Sequence, residues 1–175
     1  MNLITKRIYF SSLTQQDSLK LFEWINNIEL VSYNSYYKPI HEISHNQWME
    51  SIVNKKDLVI FGIHLIENNK LIGSCQLFNI HPVYRSAELQ IRIGEMDELS
   101  KGYGKEAVFE LVKYGFFHLN LRRIYLQVFA DNLRAIKVYE KIGFVKEGSQ
   151  RQAAFINAEY KNIIMMGILK SEFHD

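Results

Sequence analysis

The segment that most constrains the fold is a strand, a glycine-containing loop and a helix in direct succession between residues 87 and 117. Residues 87–93 (AELQIRI) alternate apolar and polar side chains, which predicts a β-strand. Residues 105–117 place apolar side chains at helical spacing with charges between them. The sequence KGYGK at 101–105 joins the two. Glycine lets a ligand approach the backbone closely, and the first amides of a helix lack internal partners. The unit is therefore typical of a phosphate or pyrophosphate site.

Two better-known phosphate motifs do not fit this loop. A Rossmann site would want a third glycine, which the start of this helix lacks, and the lysine-containing P-loop pattern is missing from the sequence. A tight turn that binds nothing is the alternative, because two glycines alone are weak evidence.

Length and composition indicate one domain. The chain has 175 residues, 47% of them hydrophobic, which is enough for a filled core. A net charge of +2 gives no reason to expect a nucleic-acid partner, and no segment is long enough to suggest a membrane span. Cys75 is the only cysteine, so an internal disulfide or a cysteine metal cluster is excluded. We expect residues 1–175 to form a single cytoplasmic domain.

Periodicity along the chain predicts an α+β fold with about seven strands and about four helices. The predicted elements are strand 3–12, helix 14–28, a helix opened at 44–47, strands 58–66, 71–80 and 87–93, helix 105–117, strand 123–130, helix 132–142, a strand from 144 and strand 159–170. Thr14 with Asp17, and Ser44 with Gln47, are spaced as capping boxes. The strand–helix–strand unit after a meander predicts a mixed, mostly antiparallel twisted sheet. The loop at 99–104 and the helix start at 132 would then share one sheet edge.

With this layout the chain resembles the GNAT superfamily of acyl-CoA N-acyltransferases. Three segments carry the resemblance: RSAELQI at 85–91, IGEMDELSKGYGKEAV at 93–108 and RRIYLQVFADNLRAIKVYEKIGFVKEG at 122–148. It extends from Lys6 to about Leu169. The chain departs from the family pattern at Leu99, where Gln or Arg is usual, and at Ser100, where relatives often have Gly.

The resemblance implies a GNAT-like fold with acetyl-CoA or another short acyl-CoA as co-substrate and no metal. The implied cofactor-binding residues are Ile91, Ile93, Leu99, Ser100, Lys101, Gly102, Tyr103, Gly104, Lys105, Asn132 and Tyr139. The main chain of Ile91 and Ile93 would pair with pantetheine. Asn132 would bind pantetheine or cap its helix.

The same resemblance assigns Tyr139 as the proton donor to the leaving thiolate; its alternative is core packing. Glu88, on the polar face of the 87–93 strand, is our candidate base through a water, and a solvated carboxylate is the alternative. His41, His45 and His81 are other possible bases. Cys75 lies in an apolar strand and fits a buried thiol, so direct transfer in a ternary complex is expected.

The acceptor amine is expected to lie against the N-terminal helices. Their aromatic and amide side chains are suited to a nucleobase and a sugar, and with Glu88 they form the predicted acceptor site: Trp24, Tyr33, Asn34, Tyr36 and Tyr37. We therefore predict a nucleotide-linked amino-deoxysugar as acceptor. For Trp24, and for the nearby Trp48, core packing is the alternative.

Other functions stay open. Spermidine is the main alternative acceptor, because the sequence FIN-x-x-Y at 155–160 resembles polyamine acetyltransferases and four carboxylates could bind a polycation: Glu23, Glu29, Glu42 and Glu50. A protein N-terminus is a third acceptor. A non-catalytic acyl-CoA sensor is a different class of function. A monomer or a homodimer would suit any of these.

Overall fold

A computed structural model describes residues 3–174, which form one eight-stranded sheet with helices packed against it. The strands are β1 (Leu3–Ile4), β2 (Ile8–Ser11), β3 (Val59–Leu65), β4 (Leu71–His81), β5 (Ser86–Ile93), β6 (Arg123–Phe129), β7 (Val145–Ile156) and β8 (Glu159–Leu169). The helices are α1 (Gln15–Ile25), α2 (Ile28–Val31), α3 (Glu42–Ile52), α4 (Tyr103–Phe117) and α5 (Leu133–Ile142).

The sheet order is β1-β2-β3-β4-β5-β6-β8-β7, and every neighbouring pair is antiparallel except β5 and β6. The predicted α+β class and mixed, mostly antiparallel sheet are confirmed. Strand 3–12 is divided in two because Thr5 turns the chain, its hydroxyl donating to the Ile8 carbonyl at 2.9 Å. The described residues therefore contain eight strands where about seven were predicted.

The N-terminal helices match the sequence prediction in part. Thr14 and Asp17 form the expected capping box at the start of α1. The helix ends at Ile25, earlier than predicted, because Asn27 caps a separate one-turn helix, α2. The capping box at Ser44 is wrong: α3 starts at Glu42, so Ser44 lies inside it, and His41 at the N-cap makes no side-chain hydrogen bond.

The main core lies between the sheet and α4. Leu111, Val112 and Phe116 of that helix are fully buried against β4 and β6 residues such as Leu77 and Ile124. This packing fixes the start of α4 at the end of β5. Within residues 3–174, no helix combines the length and apolar character needed to cross a bilayer.

Candidate active site

The site begins where β5 and β6 separate. Their parallel ladder contains three residue pairs, from Ser86 with Arg123 to Glu88 with Tyr125. Beyond Glu88, β5 continues to Ile93 paired only with β4 in the described part of the chain. Main-chain groups of the last β5 residues that point toward β6 are therefore open to a ligand, as the sequence predicted for Ile91 and Ile93.

A cavity of about 470 Å³, here called the loop cavity, opens at this divergence. It is lined by the end of β5, the 98–105 loop, the first turns of α4 and α5, and α2 with the residues after it. Its lining includes these predicted cofactor residues: Ile91, Ile93, Leu99, Ser100, Gly102, Gly104, Lys105, Asn132 and Tyr139. The loop and the start of α5 thus share one sheet edge, as expected.

The loop presents bare backbone to this cavity. Gly102 has a φ of +89°, which favours glycine, and it precedes α4 without a side-chain cap. The first amides of α4 are therefore available to an anion. A Cβ at Gly104 would meet no described atom closer than Ile93 Cγ1, at 3.9 Å. Space beside this glycine is left for a ligand.

The cations around the loop differ from those predicted. Lys101 does not line the cavity: its Nζ lies 2.8 Å from a Glu98 carboxylate oxygen, so its charge is neutralised. Tyr103 also lies outside the lining, under the Arg7 guanidinium at 4.5 Å. Arg134, which the sequence analysis missed, lines the cavity instead and donates to the Ser100 hydroxyl at 3.3 Å. The sequence could have indicated Arg134, because this residue lies in the first helical turn after Asn132.

Asn132 and the glycine at the end of α5 hold this helix in place. The Asn132 side-chain oxygen accepts from the Ala135 amide at 3.2 Å, so its amide NH₂ group is left for a ligand. Gly143 ends the helix in the left-handed conformation, at a φ of +109°. Both caps agree with the sequence prediction.

Tyr139 extends from α5 to a point where two cavities meet. It lines the loop cavity and a smaller one of about 210 Å³, here called the central cavity. Burial raises the pKa of its phenol to about 12, so the hydroxyl keeps its proton at neutral pH. A protonated phenol at such a junction can donate to a leaving group.

Glu88 lines the central cavity together with Tyr139, Tyr33 and Asn34. Burial raises the pKa of its carboxyl group, and a hydrogen bond from Asn79 at 3.4 Å opposes this only in part. A raised pKa makes the carboxylate a better proton acceptor. The structure therefore brings the predicted acid and base to one cavity.

A third space of about 530 Å³, the outer cavity, lies between the N-terminal helices and residues 74–76 of β4 and 90–92 of β5. Asn34 and Ile91 line all three cavities and so connect them. Tyr36 and Trp48 line the outer cavity, and Tyr33 lines the other two. Part of the predicted acceptor region thus lies beside the central cavity.

Other predicted acceptor residues lie elsewhere. Trp24 is 4% exposed, packs its ring against Gly94 and donates to Glu95 at 3.3 Å, so for Trp24 the core alternative is correct. Tyr37 lines none of the three cavities. The four helix carboxylates considered for a polycation, Glu23, Glu29, Glu42 and Glu50, also lie outside their linings.

The remaining reactive side chains are not well placed for transfer. His45 lines the outer cavity, but its Nε2 lies 3.0 Å from both the carbonyl and the hydroxyl oxygen of Ser18. His41 and His81 line none of the three cavities. Burial raises the pKa of the Cys75 thiol far above its usual range, which agrees with a structural role.

Bare amides at the diverging strands can hold an anionic cofactor, and the nearby phenol and carboxylate can move protons. An acyl-CoA-dependent N-acyltransferase requires both. The comparison with known families agrees: residues 7–145 match the acetyltransferase (GNAT) domain. The chain belongs to this family.

Several known proteins are similar to most of this chain. A spermidine N(1)-acetyltransferase of Vibrio cholerae is 32% identical over 152 residues, which covers 77% of this chain and 87% of the relative. An uncharacterized N-acetyltransferase, p20, of Bacillus licheniformis is 28% identical over 98% of this chain and 97% of its own. The crystal structure of the Vibrio cholerae spermidine N-acetyltransferase in complex with CoA and spermine has a TM-score of 0.88 at 29% identity, covering 94% of this chain and 96% of that one.

Proposed function

We propose that this protein transfers an acetyl or other short acyl group from CoA to the primary amine of a small molecule, by direct attack in a ternary complex. The observation that carries the proposal is the position of Tyr139, which faces both the loop cavity and the cavity that contains Glu88. CoA would lie in the loop cavity with its pyrophosphate on the α4 amides. Residues 1–175 would act as one domain in the cytoplasm, as a monomer or homodimer.

Each step of the transfer has a residue to support it. Glu88 accepts the amine proton through a water, and the neutral nitrogen attacks the thioester carbonyl. Open main-chain groups near Ile91 polarise the carbonyl oxygen. The C–N bond forms, the C–S bond breaks, and Tyr139 protonates the departing thiolate. The nitrogen loses its second proton through water to the Tyr139 phenolate, which restores the phenol, and the proton held by Glu88 passes to solvent. The products are an amide and free CoA.

The comparisons support a polyamine acceptor more than the nucleotide-linked aminosugar predicted from the sequence, because named relatives act on spermidine. The aminosugar stays a second candidate because of the charges in the outer cavity. Lys38 and Arg92 line the outer cavity, and no carboxylate does so among the described residues. A polycation would normally be bound by several carboxylates.

The test is release of free thiol from acetyl-CoA with three amines: spermidine, a dTDP-linked amino-deoxysugar and an N-terminal peptide. We expect amine-dependent release with at least one small-molecule amine and none without amine. Preference for the peptide would contradict a small-molecule acceptor. CoA binding without thiol release from any amine, repeated with longer acyl donors, would instead indicate a non-catalytic acyl-CoA-binding protein.

A further inference from the structure

Arg92 is a half-buried cation whose Nε has no partner among the residues described. It lies near the end of β5 and lines both the loop cavity and the outer cavity. Its Nε is buried and has no hydrogen-bond partner, and no carboxylate within residues 3–174 forms an ion pair with it. Leaving a buried N–H donor without a hydrogen bond is costly. A partner that arrives with a ligand would remove that cost.

The guanidinium is charged at any physiological pH. Burial lowers the pKa of Arg92, but the ordinary value is so high that the side chain stays protonated. Arg92 therefore supplies a permanent positive charge and N–H donors that have no protein partner among the described residues. Such a group can bind a carboxylate or a phosphate.

The surroundings of Arg92 in the outer cavity strengthen this charge. Lys38 is the second charged residue of the lining, and the polar remainder consists of neutral groups such as Ser74, Gln76 and Gln90. Gln76 donates to Gln90, so these two amides are already paired with each other. A cationic end of an acceptor would meet two like charges here, whereas an anionic end would meet opposite ones.

We propose that the outer cavity is a subsite for an anionic group of the acceptor, and that Arg92 selects amines carrying a carboxylate or phosphate at the end remote from the reacting nitrogen. The inference rests on the proposed function, since it assumes that the amine reacts beside Glu88 and Tyr139. Gln90 lines both the central and outer cavities, so one acceptor can extend from the carboxylate base to Arg92. The protein would then differ in acceptor from its spermidine-acetylating relatives.

The test uses two acceptors of equal length, cadaverine and 6-aminohexanoate, which differ only in an ammonium or a carboxylate at the remote end. The wild-type protein should show a kcat/KM at least about tenfold higher for 6-aminohexanoate, as expected for one charge-assisted hydrogen-bonded pair. Arg92→Gln should remove most of that preference, and Arg92→Lys should retain part of it. Lys146→Gln, at an exposed position of β7, is the control for net charge.

Two results would overturn the inference: equal or better use of cadaverine by the wild type, or an unchanged ratio in Arg92→Gln. Because Arg92 also lines the loop cavity, acetyl-CoA affinity is measured in parallel. If Arg92→Gln loses affinity for acetyl-CoA but keeps the acceptor preference, Arg92 binds the cofactor and the inference is wrong. Urea unfolding of each variant shows that the fold is kept.

The subsite can also be tested without turnover. Calorimetry measures how tightly N-acetyl-6-aminohexanoate and N-acetylcadaverine each bind to the complex of the protein with CoA. Tighter binding of the carboxylate, lost in Arg92→Gln, would support the anion subsite even if no amine were acetylated and the proposed function failed. Equal binding of the two would overturn it.

Discussion

Glu88 and Asn79 show how single residues adjust the chemistry of this site. Burial raises the pKa of Glu88, and the Asn79 amide, which donates to it at 3.4 Å, opposes the rise. The neutral amide thus stabilises the charged carboxylate without neutralising it. A base held in this way is free to take a proton from an incoming amine.

Replacement of Glu88 by Gln should lower kcat/KM by about 100-fold or more, the size expected for a general base. Below the raised pKa of Glu88 the wild-type side chain is already protonated, so the two proteins should converge at low pH. The ratio of wild-type to variant kcat/KM should therefore increase as pH rises through that pKa. Using the ratio cancels the ionisation of the amine itself. A ratio that does not change with pH would remove Glu88 from proton transfer.

Asn79→Gly is the matched control for that experiment. Asn79 has a φ of +52°, so glycine keeps the backbone unstrained while the hydrogen bond to Glu88 is lost. The pKa of Glu88 should rise further, and the pH at which the ratio begins to increase should move upward. If that pH moved downward instead, Glu88 would not be the group whose ionisation controls the rate.

At the scale of elements, the loop and the first turn of α4 are the proposed anion site. Gly104 is the informative position, since a Cβ there meets only Ile93 at 3.9 Å and the residue is already helical. Alanine is favoured over glycine in helices by about 0.5–1 kcal/mol. The substitution can therefore separate ligand binding from folding.

Gly104→Ala should leave the free energy of unfolding unchanged or raise it by up to about 1 kcal/mol, while weakening CoA binding at least about tenfold. Urea unfolding and calorimetry with CoA measure the two effects on one sample. Normal CoA affinity would show that the loop is only a turn. Gly102→Val is less decisive, because its positive φ would strain any side chain.

Elements whose signals are local could be predicted from the sequence. The capping box at Thr14, the glycine after α5 and the alternation in β5 depend on neighbours in the chain. The capping box predicted at Ser44 failed because the helix starts two residues earlier, at Glu42, so Ser44 has helical neighbours on both sides. The spacing of Ser44 and Gln47 alone does not indicate this earlier start of the helix.

Only some charges of the site could be predicted. Lys105 lines the loop cavity as expected, but the others depend on how side chains pair and elements meet in the fold. Lys101 is paired with Glu98 three residues away, whereas Arg134 comes from another helix to occupy the cavity. Arg92 lies on the polar face of β5, and it lines a cavity only because β5 and β6 diverge. Trp24 joined the core because Gly94 allows the indole to lie against the backbone.

At the scale of the whole molecule, the sheet brings distant residues together. The parallel pairing of β5 and β6 places the α4 loop and the start of α5 at one edge, and their divergence opens the space between them. α5 then carries Tyr139 to the meeting point of the loop and central cavities. We propose that acyl transfer occurs at this point.

The most direct test is turnover by Tyr139→Phe, followed as thiol release with the best acceptor, alongside acetyl-CoA affinity. The substitution removes only the hydroxyl and keeps the ring that packs against Phe144. We expect kcat to fall by about 10- to 100-fold, as for loss of a general acid, with CoA affinity changed by less than about threefold. Unchanged turnover at unchanged affinity would contradict the claim that Tyr139 protonates the leaving thiolate.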